Sequence, residues 1–245
     1  MKRWSRKLCT AGLLGSLSLG AGSCADNENM LVIMGAMSAS PPGCVYTATA
    51  SATLLLSGTV DLAFGGYYHA VLLVSNQLMA EGSKSRLRAE SSNVSINNAE
   101  VRLLANGVTS IMYNSVPASG FIGVGSGEDS AYGSIAVEIM PGGLNMPANT
   151  GFIVAEVRLQ GKTSGGDDIE SNLFRYDIYV VDSRLGGGLV RYNGVNNDTG
   201  GEVCDAEVCS SGTSTTTTDQ SCYEGQDSTM SCCDCIGEAF CQSAP

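Results

Sequence analysis

Cysteine is the residue whose number and spacing first invite chemistry in this chain. The 245-residue sequence holds ten. Seven of them, Cys204, Cys209, Cys222, Cys232, Cys233, Cys235 and Cys241, crowd into residues 204–245, and Cys44 stands alone in the body. Zinc wants four ligands in paired short spacings. The tail offers C-x4-C and then CC-x-C, with no histidine. In an oxidising compartment thiols pair with each other first, so the compartment decides the reading. Other chemistry is thinly represented. His69 is the single histidine; it sits in an apolar run on the face of Val71 and Leu73, and a Ser-His-Asp hydrolase would have to use it with no serine placed beside it. Phe121 to Gly127 is glycine-rich but lacks the lysine of a phosphate loop and the G-x-S-x-G of a nucleophile elbow, so it reads as a turn or bulged strand. Asp167, Asp168 and Glu170 are oxygen ligands of the type calcium takes, without EF-hand spacing; they read as a solvated loop. Twenty-four acids single out no carboxylate pair. The expectation is a chain without catalysis, metal or cofactor.

The compartment is written in the first 24 residues. Lys2, Arg3, Arg6 and Lys7 precede a small-residue apolar run from Leu8 to Ala21, the pattern of an export signal. That run is too short for a bilayer core, which needs about 20 apolar residues as a helix. Ala21-Gly22-Ser23-Cys24 resembles the lipobox of bacterial lipoproteins, in which the cysteine is diacylated and becomes the new N-terminus. Ala21 departs from the leucine more usual at the first position. The resemblance implies cleavage after Ser23 and lipid attachment at Cys24, with two or more acyl chains giving firm anchoring where one gives marginal binding. Ala25 in place of Asp resembles lipoproteins forwarded to the outer membrane, periplasmic or surface-exposed.

With that address, Cys9 leaves with the signal and Cys24 is consumed by lipid. Eight cysteines remain. Seven cannot all pair among themselves, so full oxidation requires Cys44 to bridge to the tail. Such a bridge closes a loop of at least about 160 residues, nominally contributing about 4 to 5 kcal/mol. Removing residues 1–23 takes away four of the thirteen bases and no acid, so the charge moves from −11 to 9 − 24 = −15. An acidic chain repels phosphate backbones, which disfavours nucleic acid as a partner.

Residues 24–29 read as a tether and residues 30–193 as one domain. Thirty-one glycines and only 15% charged residues suit short strands joined by polar turns. Residues 30–37 form an apolar run of strand length, and Pro41-Pro42 forces a turn. Residues 44–56 offer one bent strand or two, and Gly58 and Asp61 break the pattern. Residues 68–78 are apolar on both faces, the mark of a central strand. Ala99, Val101 and Leu103 alternate with Glu100 and Arg102. Ile111 and Tyr113 alternate in a run ending at Pro117, and Ile135, Val137 and Ile139 share a face. Ile153, Ala155, Val157 and Leu159 oppose Glu156 and Arg158; Phe174, Tyr176, Ile178 and Val180 oppose Arg175 and Asp177, suggesting a hairpin with a loop of roughly a dozen residues. Seven to nine strands without a long amphipathic helix predict an all-β fold, an antiparallel β-sandwich of immunoglobulin-like architecture.

Residues 194–245 form an acidic, Cys-rich tail with no Lys, Arg or His. Its STTTT run at 214–218 is an extended spacer, and disulfides must hold whatever order it has. The whole resembles β-rich lipoproteins of the myxobacterial type, through a strand like residues 68–78 ending in Asn76-Gln77-Leu78, a stretch like Gly161-Lys-Thr-Ser-Gly-Gly followed by Glu170-Ser-Asn-Leu-Phe174, and the Cys-rich end. That resemblance implies an address and a fold and brings no activity. Three roles follow: a structural, adhesive or interaction protein of the envelope, held to the membrane by its lipid; a small-molecule or carbohydrate-binding module using Tyr67, Tyr68, Tyr113, Tyr132, Tyr176 and Tyr179; and a hydrolase using His69.

Overall fold

The structure is a computed structural model. It describes residues 30–39, 44–78, 92–125, 130–147 and 150–182, and short pieces of the tail at 190–191, 194–195, 202–203, 222, 226–227 and 230–231. The segment expected to be an export signal, Cys24 as the expected lipid site and the cysteines at 204, 209, 232, 233, 235 and 241 lie outside the described residues.

The fold is all-β, built from two sheets. The first contains β1 (Leu31–Met37), β2 (Leu54–Leu55), β4 (Tyr68–Asn76) and β7 (Ala131–Met140), in the order β2-β1-β4-β7. The second contains β3 (Ser57–Asp61), β5 (Val94–Ala105), β6 (Thr109–Ile122), β8 (Phe152–Thr163) and β10 (Phe174–Val181), in the order β3-β10-β8-β5-β6, with the short β9 (Asp168–Glu170) pairing β8. A 3-10 turn at Leu62–Phe64 follows β3, capped by the Asp61 carboxylate, which accepts from the Ala63 N–H. Both sheets bury one face in a shared core. Leu72, Val74, Ile135 and Ile139 of the first meet Val101, Leu103, Ile153, Val157, Leu159 and Ile178 of the second. The period-2 alternation read from β5, β7, β8 and β10 is the alternation that fills this core.

Four details depart from the sequence expectation. Residues 44–53 form no strand; they lie over the outer face of the first sheet, where Tyr46, Ala48 and Ala52 cover Val71 and Leu73. That cover explains why β4 is apolar on both sides. Gly58 and Asp61 do not interrupt a strand but belong to one, β3, because the Tyr68 phenol occupies the space a Cβ at Gly58 would need. Pro117 does not end β6, which runs on to Ile122. As the edge strand of its sheet, β6 can carry a residue without an N–H, and the register against β5 slips between Ile96 and Asn98 where Pro117 pairs. Finally, the second sheet is mixed: β3 runs parallel to β10, while the other pairs are antiparallel. The expected β8–β10 hairpin is present, with β9 folded back onto β8 inside its loop.

Four two-residue strands follow β10 among the described residues: β11 (Val190–Arg191), at the end of the expected domain, pairs β14 (Met230–Ser231), and β12 (Gly194–Val195) pairs β13 (Glu202–Val203). Cys44 is joined to Cys222 by a disulfide across a sequence separation of 178, with Cα atoms 5.5 Å apart.

Candidate functional site

Tyr68 opens β4 on its core-facing side. Its ring is buried, and a buried phenol needs a hydrogen-bond partner. Tyr176 of β10 supplies one, Oη to Oη at 3.0 Å. The other comes from the tail: Tyr68 Oη donates to Asp227 Oδ2 at 2.6 Å. A phenol has one proton, so with Tyr68 donating to Asp227 it is Tyr176 that donates to Tyr68. The direction is Tyr176 to Tyr68 to carboxylate.

The dipeptide Gln226-Asp227 grips both sheets. On β3, the Asp227 N–H donates to Thr59 O at 2.9 Å, and Asp227 Oδ1 accepts from the Thr59 N–H at 2.8 Å. The carboxylate thus stands in for a backbone carbonyl, with Asp227 in the left-handed region at φ 61. On β4, the Gln226 side-chain amide accepts from the His69 N–H at 2.9 Å and donates to His69 O at 2.5 Å. An amide side chain here does the work of a neighbouring strand. Two residues therefore join the edge of the second sheet to the start of β4.

The same device recurs twice. Asn172 Oδ1 accepts from the Ile33 N–H at 2.7 Å, and its amide donates to Ile33 O at 3.4 Å, on the side of β1 where Leu31 bridges to Ser171. Asn76, fully buried, donates to Ser92 O at 2.9 Å and Gly123 O at 2.8 Å and accepts from the Leu78 N–H at 3.0 Å. The Asn76-Gln77-Leu78 and Ser171-Asn172 motifs are, in this structure, amide staples for backbone.

Electrostatically the knot is a place for protons to stay. Burial pushes the Tyr176 phenol up to about 12. Burial, and then the Asp227 charge, hold the Tyr68 phenol far above the ordinary tyrosine range. Asp227 is raised above the usual carboxylate value by burial, against hydrogen bonds from Tyr68, Thr59 and Gln226 that pull the other way. Neither phenol is poised to lose its proton at neutral pH.

The outer face of the second sheet carries the charges. Between residues 30 and 182 the described lysines and arginines are Arg102, Arg158, Lys162 and Arg175, and all four stand on this face. Glu156 is buried beneath two of them, accepting from Arg175 Nε at 2.9 Å with Arg102 Nη1 at 3.5 Å. Arg158 meets Glu170 at 3.3 Å, and Lys162 meets Asp168 at 2.6 Å. Two of the three acids weighed for calcium are thus turned to cations. Gln160 links Glu100 and Glu170 at 3.0 and 3.3 Å, and Asn98 links Gln160 and Ser115 at 3.0 and 2.9 Å. Tyr113, 67% exposed, stands beside this row, its phenol raised by the Glu100 charge. Phe121 and Tyr179 are exposed on the same face.

The six tyrosines considered for a common cleft are dispersed. Tyr68 and Tyr176 share the buried knot, Tyr113 and Tyr179 share the charged face, Tyr132 packs on the outer side of the first sheet, and Tyr67 stands edge-on to the His69 ring at 5.6 Å. A shallow hollow of about 340 Å³ is lined by Ser38, Thr47, Thr49, Ser51 and Thr53 with Met37, Ala39 and Ala52. Among the described residues no cluster of three or more His, Cys, Asp or Glu side chains is arranged to hold a metal. The sequence reading missed the knot: its residues stand 108 and 159 positions apart. The available signal was a tyrosine on each of two otherwise apolar strand faces, first in β4 and after Phe174 in β10. No protein-family model matches the chain, and no curated protein matches it significantly.

Proposed function

We propose that the chain is a cell-envelope lipoprotein, cut after Ser23 and anchored through lipid on Cys24. In this reading its two sheets form a β-sandwich of immunoglobulin-like architecture that acts by binding rather than by catalysis. One observation carries the binding role: the described cations of the body and three exposed aromatics, Tyr113, Phe121 and Tyr179, share the outer face of one sheet. A flat face of paired charges with aromatic side chains at its margins suits a polar, extended partner at the envelope, since aromatics and arginine supply contact area and directed hydrogen bonds together.

A carbohydrate is the second reading, favoured by the amide and carboxylate row Asn98, Gln160, Glu100 and Glu170 beside Tyr113. Those groups offer donors and acceptors at strand spacing to sugar hydroxyls, and the ring offers a surface for a sugar's C–H face.

The test is sedimentation of the mature chain with isolated envelope fractions, protein-rich and polysaccharide-rich, against the Tyr113→Ala/Tyr179→Ala variant, both positions being exposed. We expect at least tenfold weaker binding by a variant whose melting temperature is close to the parent's. Equal binding by parent and variant would remove this face from the proposal. The fraction that retains the parent separates the protein reading from the carbohydrate one. Mass spectrometry of the membrane-extracted chain tests the anchor: acyl groups on an N-terminal Cys24 support it, and an unmodified Cys24 overturns it.

A further inference from the structure

The notch that receives Gln226-Asp227 has the properties of a peptide-docking site. Its floor is the edge of β3, which lends Thr59 N–H and C=O to an incoming chain, and Val60 pairs with Gln226 as an isolated antiparallel bridge. Its far wall is the His69 peptide unit, which takes one side-chain amide. Its end is the Tyr176–Tyr68 pair, which donates one hydrogen bond to one carboxylate. Everything recognised belongs to two consecutive residues. Pairing an extended segment to an open sheet edge is a recurrent mode of recognition, in which main-chain bonds give affinity and side-chain pockets give specificity.

Nothing in the notch requires those residues to come from the same molecule. Forty-three residues, 183–225, separate the end of the body from Gln226. Extended, they reach roughly 145 Å. Among the described residues, the covalent link that brings the tail home is Cys44–Cys222, four residues before Gln226. Closing it raises the local concentration of the chain's own Gln226-Asp227 far above that of any neighbour's. Without the seated strap, Thr59 N–H and C=O lose the partners they have here, and an open edge is a template for another chain.

We propose that the β3–β4 notch is a docking site for the Gln-Asp segment of this chain, and that it accepts the tail of a second copy wherever the Cys44–Cys222 bridge has not fixed its own. The bridge then decides between a self-filled monomer and tail-exchanged assemblies, a low-cost route to oligomers because every contact already exists in the monomer.

The first experiment uses the full mature chain carrying Gln226→Ala/Asp227→Ala as acceptor. The probe is a fluorescent peptide of residues 223–231. Saturable binding is expected to this acceptor, at least tenfold weaker binding is expected for the same peptide with alanine replacing its aspartate, and none is expected to the parent, whose notch is filled. No saturable binding to the folded acceptor overturns the proposal. A second experiment stands apart from the acceptor's folding. The Cys44→Ser/Cys222→Ser chain is followed by light scattering at rising concentration, and dimers are expected that disappear when Gln226→Ala/Asp227→Ala is added. A monomer at every concentration, or dimers that survive that addition, overturns it equally.

Discussion

Asp227 concentrates the chemistry of the tail in one carboxyl group. Its value is raised by burial when the tail is seated. A carboxyl whose value is higher in the folded state binds its proton more tightly there, so the contribution to stability is full below the ordinary value of 3.8 and is lost as pH rises through the raised value. Asparagine is neutral at every pH, and its Oδ1 can still accept from Thr59. The melting-temperature difference, parent minus Asp227→Asn, is therefore expected to shrink as pH is raised from below 3.8 towards neutrality. A difference that is flat or grows with pH contradicts the burial argument. Asp227→Ala removes the acceptor while Tyr68 stays buried, at a cost of about 1 to 3 kcal/mol at neutral pH. None of this was legible in the sequence, where Asp227 is one acid among 24. A hydrogen bond between residues 159 apart has no local pattern to announce it.

What was legible were the elements with one face in the core. Ile153, Ala155, Val157 and Leu159 announce β8 because burial on one side and water on the other impose a period of two. Where both sides are covered, as in β4, a continuous apolar run announces the strand instead; the signal fails where a strand is short and at an edge, as in β3. It also fails at bulges. In β1, Ile33 pairs with Val74 and Gly35 with Leu73, leaving Met34 as the extra residue. The bulge reverses the parity, so that Ile33 and Ala36, three apart, both face the core. Gly35 then points outward with the Leu54 side chain over it, where a Cβ would stand 2.9 Å from Leu54 Cδ1. Asn172 accepts from the Ile33 N–H on the other side of β1, where Leu31 bridges to Ser171. The bulge matters and the methionine does not. Met34→Ala, at a 48% exposed position, is expected to change stability by no more than about 0.5 kcal/mol. Deleting Met34 forces either Leu31 and Ile33 or Ala36 out of the core, and is expected to cost more than about 4 kcal/mol or to abolish folding. Urea denaturation of the two variants separates the cases; a deletion as mild as the alanine would show that β1 tolerates either register.

The whole molecule is closed by its tail. The second sheet ends at β3, which pairs with β10 on one side and with Gln226-Asp227 on the other. The first sheet is covered by residues 44–53, and that cover begins at Cys44. One disulfide therefore secures two lids: the cover over Val71 and Leu73, and the strap across the open edge. Parity of the cysteines pointed to a link between Cys44 and the tail, since counting needs no geometry. Which tail cysteine takes part depends on where the strap docks, and that is set by Thr59, His69 and Tyr68. In the chain-entropy view a loop of 178 residues contributes about 5 kcal/mol, while bridges of this kind deliver about 2 to 4 in practice. The loss should exceed that of the Gln226→Ala/Asp227→Ala pair, because the bridge holds both lids and the dipeptide only one. We expect Cys44→Ser/Cys222→Ser to lower the melting temperature by on the order of 5 to 15 °C. Limited proteolysis adds the structural test: fresh cleavage within residues 44–53 of the serine variant, and its absence in the alanine pair, follows from one bridge securing two lids. If both variants were cut there equally, the cover would depend on the seated dipeptide and the bridge would be secondary.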